Sequence, residues 1–121
     1  MDTKQITENY FAAVNQGGWE DYIAEDFTYG MCDSQKVRKG KEAYLKGAGQ
    51  FYALSQKLEV KSLLVEGLKA AAINRYYLTS PVGQTLELEV AEFLVFNPEG
   101  KMIASTIYFD IQAFQKFMQA Q

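Results

Sequence analysis

The residue that stands out chemically is Glu92, because of the strand-like run that carries it. In Thr85-Leu-Glu-Leu-Glu-Val-Ala-Glu-Phe-Leu-Val-Phe96, side chains alternate between two faces. One face carries Leu86, Leu88, Val90, Glu92, Leu94 and Phe96. It is apolar except for Glu92. An isolated carboxylate on such a face must find a partner, reach water or keep its proton. Burial raises its pKa, and a protonated carboxyl can donate a hydrogen bond to a carbonyl or enolate oxygen. Two other readings remain open: an ion pair with Arg75 or Lys101, or a bulge that turns Glu92 outward. A register slip of one residue would exchange the faces.

The absence of histidine narrows the chemistry around that carboxylate. It removes His-based triads, His-ligated zinc and His general bases. Acid–base work falls to carboxylates, tyrosines or lysines. No metal site and no cofactor is expected: the glycines of Gly47 and Gly49 fit neither a Walker motif nor a dinucleotide fingerprint. Cys32 is the only cysteine, so no internal disulfide can form. The net charge of −3 gives no electrostatic case for nucleic acid or an anionic membrane. Lys36-Val-Arg38-Lys39-Gly-Lys41 reads as a solvated loop leading into a helix. The start of the chain lacks a signal-peptide pattern, and no apolar run is long enough to span a membrane, so a cytoplasmic location is expected.

The elements that must position Glu92 follow from periodicity. With 121 residues, one domain over 1–121 is expected. Residues 3–16 read as a helix, capped by Asp2 or Thr3 and ended by Gly17-Gly18. Trp19 to Ala24 reads as a short second helix, and Phe27 to Cys32 as a strand. From Gly40 to Leu54 the pattern is helical, with Tyr44, Ala48 and Phe51 on one stripe. Strands are then expected over 58–68, 70–79, 85–96 and 102–109, with turns at Ser80-Pro-Val-Gly83 and Asn97-Pro-Glu-Gly100. Asp110 caps a C-terminal helix carrying Phe114, Phe117 and Met118. Helices followed by long strands give an α+β class, with the helices on one face of a curved antiparallel sheet.

Tyr10-Phe-Ala-Ala-Val-Asn15, Asp26-Phe-Thr-Tyr29 and Val90-Ala-Glu92-Phe-Leu-Val-Phe-Asn97-Pro-Glu-Gly100-Lys101 together resemble ketosteroid isomerases and SnoaL-like polyketide cyclases of the nuclear-transport-factor-two-like superfamily. The resemblance runs in order along nearly the whole chain. It implies a cone-shaped, cystatin-like fold, a pocket for a small hydrophobic molecule and a homodimer. It places Tyr10 at the oxyanion-hole tyrosine of the isomerases and Glu92 at their protonated aspartate. Asp33 lies near their catalytic base, but its distance from Gly40 is shorter than the isomerase pattern, where Met31 would fall. Tyr108-Phe-Asp110 resembles an ending found among the cyclases, which makes Asp110 a second base candidate beside its capping role. Tyr29, Met31, Phe51, Val90, Ser105, Ile107 and Phe109 are the expected pocket lining. On the strand 70–79, Arg75 and Tyr77 share one face and Asn74 and Tyr76 the other; Arg75 and Tyr77 are taken as ligand contacts. The functions implied are acid–base isomerase or cyclase chemistry on a small carbonyl compound, non-catalytic ligand binding, or a homodimeric interaction module through the face with Phe93, Val95, Thr106 and Tyr108.

Overall fold

The computed structural model describes residues 2–31 and 38–119. Helix α1 spans Thr3–Gln16. Its first turn is capped by Asp2, whose Oδ1 accepts from the Gln5 N–H at 2.8 Å. Gly17, at φ 103°, ends it. A 3₁₀ turn over Trp19–Tyr22 follows. It is shorter than the expected helix, because Ile23 and Ala24 already belong to strand β1, Ile23–Met31. The two-residue strand β2, Arg38–Lys39, pairs with β1 where a loop was expected. Helix α2 covers Lys41–Leu54.

Four long elements then build the sheet: β3 (Ser55–Glu66), β4 (Lys69–Thr79), β5 (Thr85–Phe96) and β6 (Met102–Phe109). Helix α3, Ile111–Gln119, closes the described chain. The strand order is β2-β1-β6-β5-β4-β3. The expected antiparallel sheet is in fact mixed: β1 and β6 run parallel. No hairpin turn links these two strands, so nothing local dictates their direction. All other neighbours are antiparallel, and hairpins join β3 to β4, β4 to β5 and β5 to β6.

Register shifts in the β1–β6, β3–β4 and β5–β6 ladders bend the sheet around the helices. Burial along β5 alternates cleanly. Leu88, Val90, Glu92, Leu94 and Phe96 are buried, while Glu87, Glu89 and Phe93 are exposed. On the same inner face β4 places Ala70, Ala72, Asn74, Tyr76 and Leu78. Tyr10 and Phe11 of α1 complete this core with Trp19, Phe27 and Phe117. The β5–β6 turn is held tightly: Asn97 Oδ1 accepts the N–H groups of Glu99 and Lys101. Gly100 there has φ 83°, and a Cβ on it would sit 3.3 Å from Ile6 Cδ1. The positive φ favours glycine here, and a Cβ would also have to push the end of the Ile6 side chain aside. Among the described residues no helix is long and apolar enough to cross a membrane.

Candidate functional site

The β4–β5 register decides what surrounds Glu92. Thr79 faces Thr85 across the hairpin, so Ala72 faces Glu92 and even-numbered residues of both strands share the inner face. Asn74 and Tyr76 therefore lie on the side of Glu92. Arg75 and Tyr77, expected as ligand contacts, lie on the opposite face. Arg75 pairs there with Glu89 and Glu87, and the Tyr77 hydroxyl donates to Glu59. Alternation on β4 forces this, since an arginine flanked by inward residues must point outward. The bond to Glu89 strengthens the positive charge of Arg75 and raises its pKa.

Glu92 is 4% exposed and has no cationic partner among the described residues. Lys101, the other expected counter-charge, instead donates its Nζ to the Asp21 carbonyl. Glu92 Oε2 accepts from the Tyr76 hydroxyl at 2.6 Å and from Asn74 Nδ2 at 2.7 Å. Burial pushes the Glu92 pKa up, and these two hydrogen bonds pull it partly back. Both donors are neutral, so nothing compensates a full negative charge except their dipoles. Oε1 accepts no hydrogen bond from a described residue.

A cluster of phenols stands beside this carboxyl, Tyr10 and Tyr76 buried, Tyr44 and Tyr52 half-buried. The Tyr10 hydroxyl lies 2.9 Å from that of Tyr52 and 3.4 Å from that of Tyr44. The Tyr52 ring stacks on Tyr76 at 6.2 Å, and Phe51 meets Tyr76 edge-on at 5.0 Å. Burial raises the pKa of Tyr10, Tyr52 and Tyr76, and the Glu92 charge adds to the rise in all three. Burial likewise pushes Tyr44 up to about 12. These phenols stay protonated at any ordinary pH and act as neutral donors and acceptors.

The remaining expected residues divide by position. Val90, Ser105, Ile107 and Phe109 lie on the inner face: Ile107 faces Glu92 across the β5–β6 ladder, Ser105 faces Leu94 and Phe109 faces Val90. Tyr29 packs on Phe27 and Tyr44. Met31 pairs with Ile107 in the β1–β6 ladder and is 43% exposed. Phe114 of α3 packs on Phe51 and Phe109. Asp110 is exposed, and its Oδ1 accepts the Ala113 N–H at 3.0 Å. It caps α3 and does not join the Glu92 cluster. Asp33 and Cys32 lie outside the described residues.

Asn74, Tyr76, Tyr44 and Tyr52 were not picked out as site residues from the sequence. The first two carried a usable signal. The Ser80–Gln84 turn fixes the hairpin register, and that register assigns the even residues of β4 to the Glu92 face. Tyr44, Ala48 and Tyr52 form an i, i+4, i+8 row on α2, which also marks one helical face.

Chemically, this arrangement is a carboxyl with a raised pKa, wedged among neutral hydroxyls and aromatic rings. It favours holding a proton and offering it to an oxygen. Glu92 is the one buried carboxylate among the described residues. Among those residues no group of three or more His, Cys, Asp or Glu could hold a metal ion. Tyr10, Tyr76 and Glu92 are buried in the cluster, with Tyr44, Phe51 and Tyr52 half-buried beside them. Two surface hollows lie elsewhere, one between the end of α1 and the β5–β6 turn, the other beside Arg75, Glu87 and Asp110.

No protein-family model matches the chain, and no curated protein matches its sequence. Solved structures do match its shape. A candidate SnoaL-like polyketide cyclase from Jannaschia sp. CCS1 superposes with a TM-score of 0.82 at 16% identity, covering 98% of this chain and 92% of the other. SalBIII, an epoxide hydrolase/cyclase-like enzyme of pyran ring formation in salinomycin, gives 0.80 at 19% identity, covering 91% and 92%. A candidate ketosteroid isomerase from Kribbella flavida gives 0.70 at 22% identity, covering 89% and 77%. A de novo designed protein with a curved β-sheet gives 0.71 at 15% identity, covering 98% and 96%. A fold shared with a designed protein carries no activity with it. At these identities the likeness is one of architecture: the chain has the α+β fold of these proteins described as SnoaL-like cyclases and a ketosteroid isomerase.

Proposed function

We propose that the inner face of the sheet binds a small apolar carbonyl compound, with the Glu92 carboxyl donating its proton to the carbonyl oxygen. The observation that carries this is the burial of Glu92 with its carboxyl hydrogen-bonded to two neutral donors, Tyr76 and Asn74. Such a carboxyl is held as the acid, and an acid in an aromatic, water-poor site is a strong hydrogen-bond donor. The surrounding Tyr10, Tyr29, Tyr44, Phe51, Tyr52, Tyr76, Ile107 and Phe109 suit a flat, apolar ligand body.

Entry requires one wall to move, and α2 is the wall suited to it. It contains Gly47 and Gly49, its N-terminus has no side-chain cap, and none of its residues is fully buried. Glycine inside a helix costs about 1 kcal/mol relative to alanine. Tyr44, Phe51 and Tyr52, which cover the Glu92 cluster, all belong to this helix.

The fold is shared with proteins described as cyclases and isomerases. Turnover of that kind needs a base opposite the acid, and no second buried carboxylate is present among the described residues. Carbonyl binding and polarisation is therefore the step assigned to this site. The test uses acetophenone as probe. Its C=O stretch, read by difference infrared spectroscopy, should fall to lower frequency in the wild-type complex than in the complex with Glu92→Leu. Identical frequencies, or no binding at millimolar probe, would sink the proposal.

A second reading concerns the outer face of the sheet. Leu64 is 71% exposed and Phe93 50%, with Ile73 and Tyr108 also exposed. The ladders line up Leu64, Ala71, Phe93 and Thr106 in one row and Ile73, Ala91 and Tyr108 in the next. Charges of both signs flank these rows: Arg75 with Glu89 at one end, Lys69 and Glu66 at the other. An apolar centre with mixed-charge ends is self-complementary about a two-fold axis. A homodimer through this face is proposed. Sedimentation should give a dimer at micromolar concentration and a monomer for Phe93→Glu; a wild-type monomer would remove this reading.

A further inference from the structure

Asn74 is wholly buried, and only one end of its carboxamide is used. Nδ2 donates to Glu92 Oε2, while Oδ1 has no hydrogen-bond partner. A buried acceptor without a partner is uncommon in a folded protein, because its lost hydration is not replaced. It is the one buried side-chain polar atom in this condition among the described residues. Its place is also informative, since it sits on the same carboxamide that anchors the candidate carbonyl-binding group.

The two hydrogen bonds to Glu92 sharpen the point. Both arrive at Oε2, from Tyr76 and from Asn74. With two donors on Oε2, a proton on the carboxyl belongs on Oε1. The cluster then offers a donor, Oε1–H, and an acceptor, Asn74 Oδ1. Most carbonyl compounds use only the first.

We infer that this site selects ligands in which the carbonyl is accompanied by an N–H or O–H donor, the donor being taken by Asn74 Oδ1. Primary amides, lactams and hydroxy ketones have this pairing; simple ketones do not. The inference rests on the reading of Glu92 as the carbonyl-binding group, and makes Asn74 a specificity residue beside it. Oδ1 is itself buried, so the donor arrives with the ligand as α2 gives way. A site that hydrogen-bonds a donor rejects the analogue lacking it, because the buried acceptor is then left unpaired.

The experiment compares benzamide with acetophenone, which have similar size and shape and differ in the amide N–H. Calorimetric titration of the wild-type protein should give benzamide an affinity at least about tenfold higher. In Asn74→Leu that preference should collapse, the two probes then binding with affinities within about threefold of each other. Should this variant not fold, as judged by circular dichroism, the wild-type protein still decides. Its Asn74 side-chain amide resonances should shift clearly further with benzamide than with acetophenone. Equal affinities and equal shifts for both probes overturn the inference and leave carbonyl binding intact. A benzamide preference retained in Asn74→Leu overturns it as well. Binding of neither probe overturns carbonyl binding and the inference together.

Discussion

Replacing Glu92 by glutamine separates the cost of an acid inside the sheet from every other contribution to stability. Glutamine has the same length, and its carbonyl can accept from both Tyr76 and Asn74 as Glu92 Oε2 does. Its NH₂ stands where the protonated Oε1 would be. The variant thus imitates neutral Glu92. In acid, below the ordinary glutamate value of 4.5, wild type and variant should be equally stable to within about 0.5 kcal/mol. Above it the unfolded wild-type chain gives up its proton while the folded chain keeps it. The folded state then binds more protons, so wild-type stability falls as pH rises. The fall is about 1.4 kcal/mol for each pH unit between the unfolded and folded pKa values. Beyond the folded pKa it levels off. Burial is the larger influence and the two hydrogen bonds the smaller, so the sign is fixed: Glu92→Gln is the more stable protein at pH 8. Urea unfolding at intervals from pH 4 to 9 measures this. Trp19, the only tryptophan and a buried one, reports by fluorescence. All other ionisable groups are common to both proteins and cancel in the difference. Parallel stability curves, or a variant less stable at pH 8, would refute the account of Glu92 as a proton-holding acid.

Three other outcomes follow from the same geometry. Tyr76→Phe removes the 2.6 Å hydrogen bond to Glu92. It should cost about 1 kcal/mol in acid, where the bond is neutral, and roughly 1.5–3 kcal/mol above the Glu92 pKa, where it is charge-assisted; a pH-independent loss by urea titration would count against the Tyr76–Glu92 bond. Asp110→Ala should lose about 1 kcal/mol by removing the α3 cap and leave acetophenone affinity unchanged; a large drop in affinity would return Asp110 to the site. Arg75→Ala should also leave acetophenone affinity unchanged, since its partners lie on the outer face; weakened binding by calorimetry would contradict the register of β4.

Much of this protein is written in local sequence. The bounds of α1, β5 and β6 follow from periodicity, from Asp2 and Gly17 as helix ends, and from the Asn97–Gly100 turn. So does the unusual position of Glu92, because alternation along one strand needs no knowledge of its neighbours. The two faces of β4 were equally plain, yet nothing on that strand alone says which face is inner. Arg75 and Tyr77 are therefore as plausible as ligand contacts from sequence as Asn74 and Tyr76. Only pairing with β5 assigns Asn74 and Tyr76 to Glu92. The parallel pairing of β1 with β6 is likewise a matter of tertiary structure, since those strands are distant in the chain. The same holds for the phenol cluster, which gathers Tyr10, Tyr44, Tyr52 and Tyr76 from two helices and a strand. Sequence by itself placed one carboxylate on an otherwise apolar strand face. Tertiary structure decided that its partners are neutral, because hydrogen bonds and burial depend on what distant segments bring into reach.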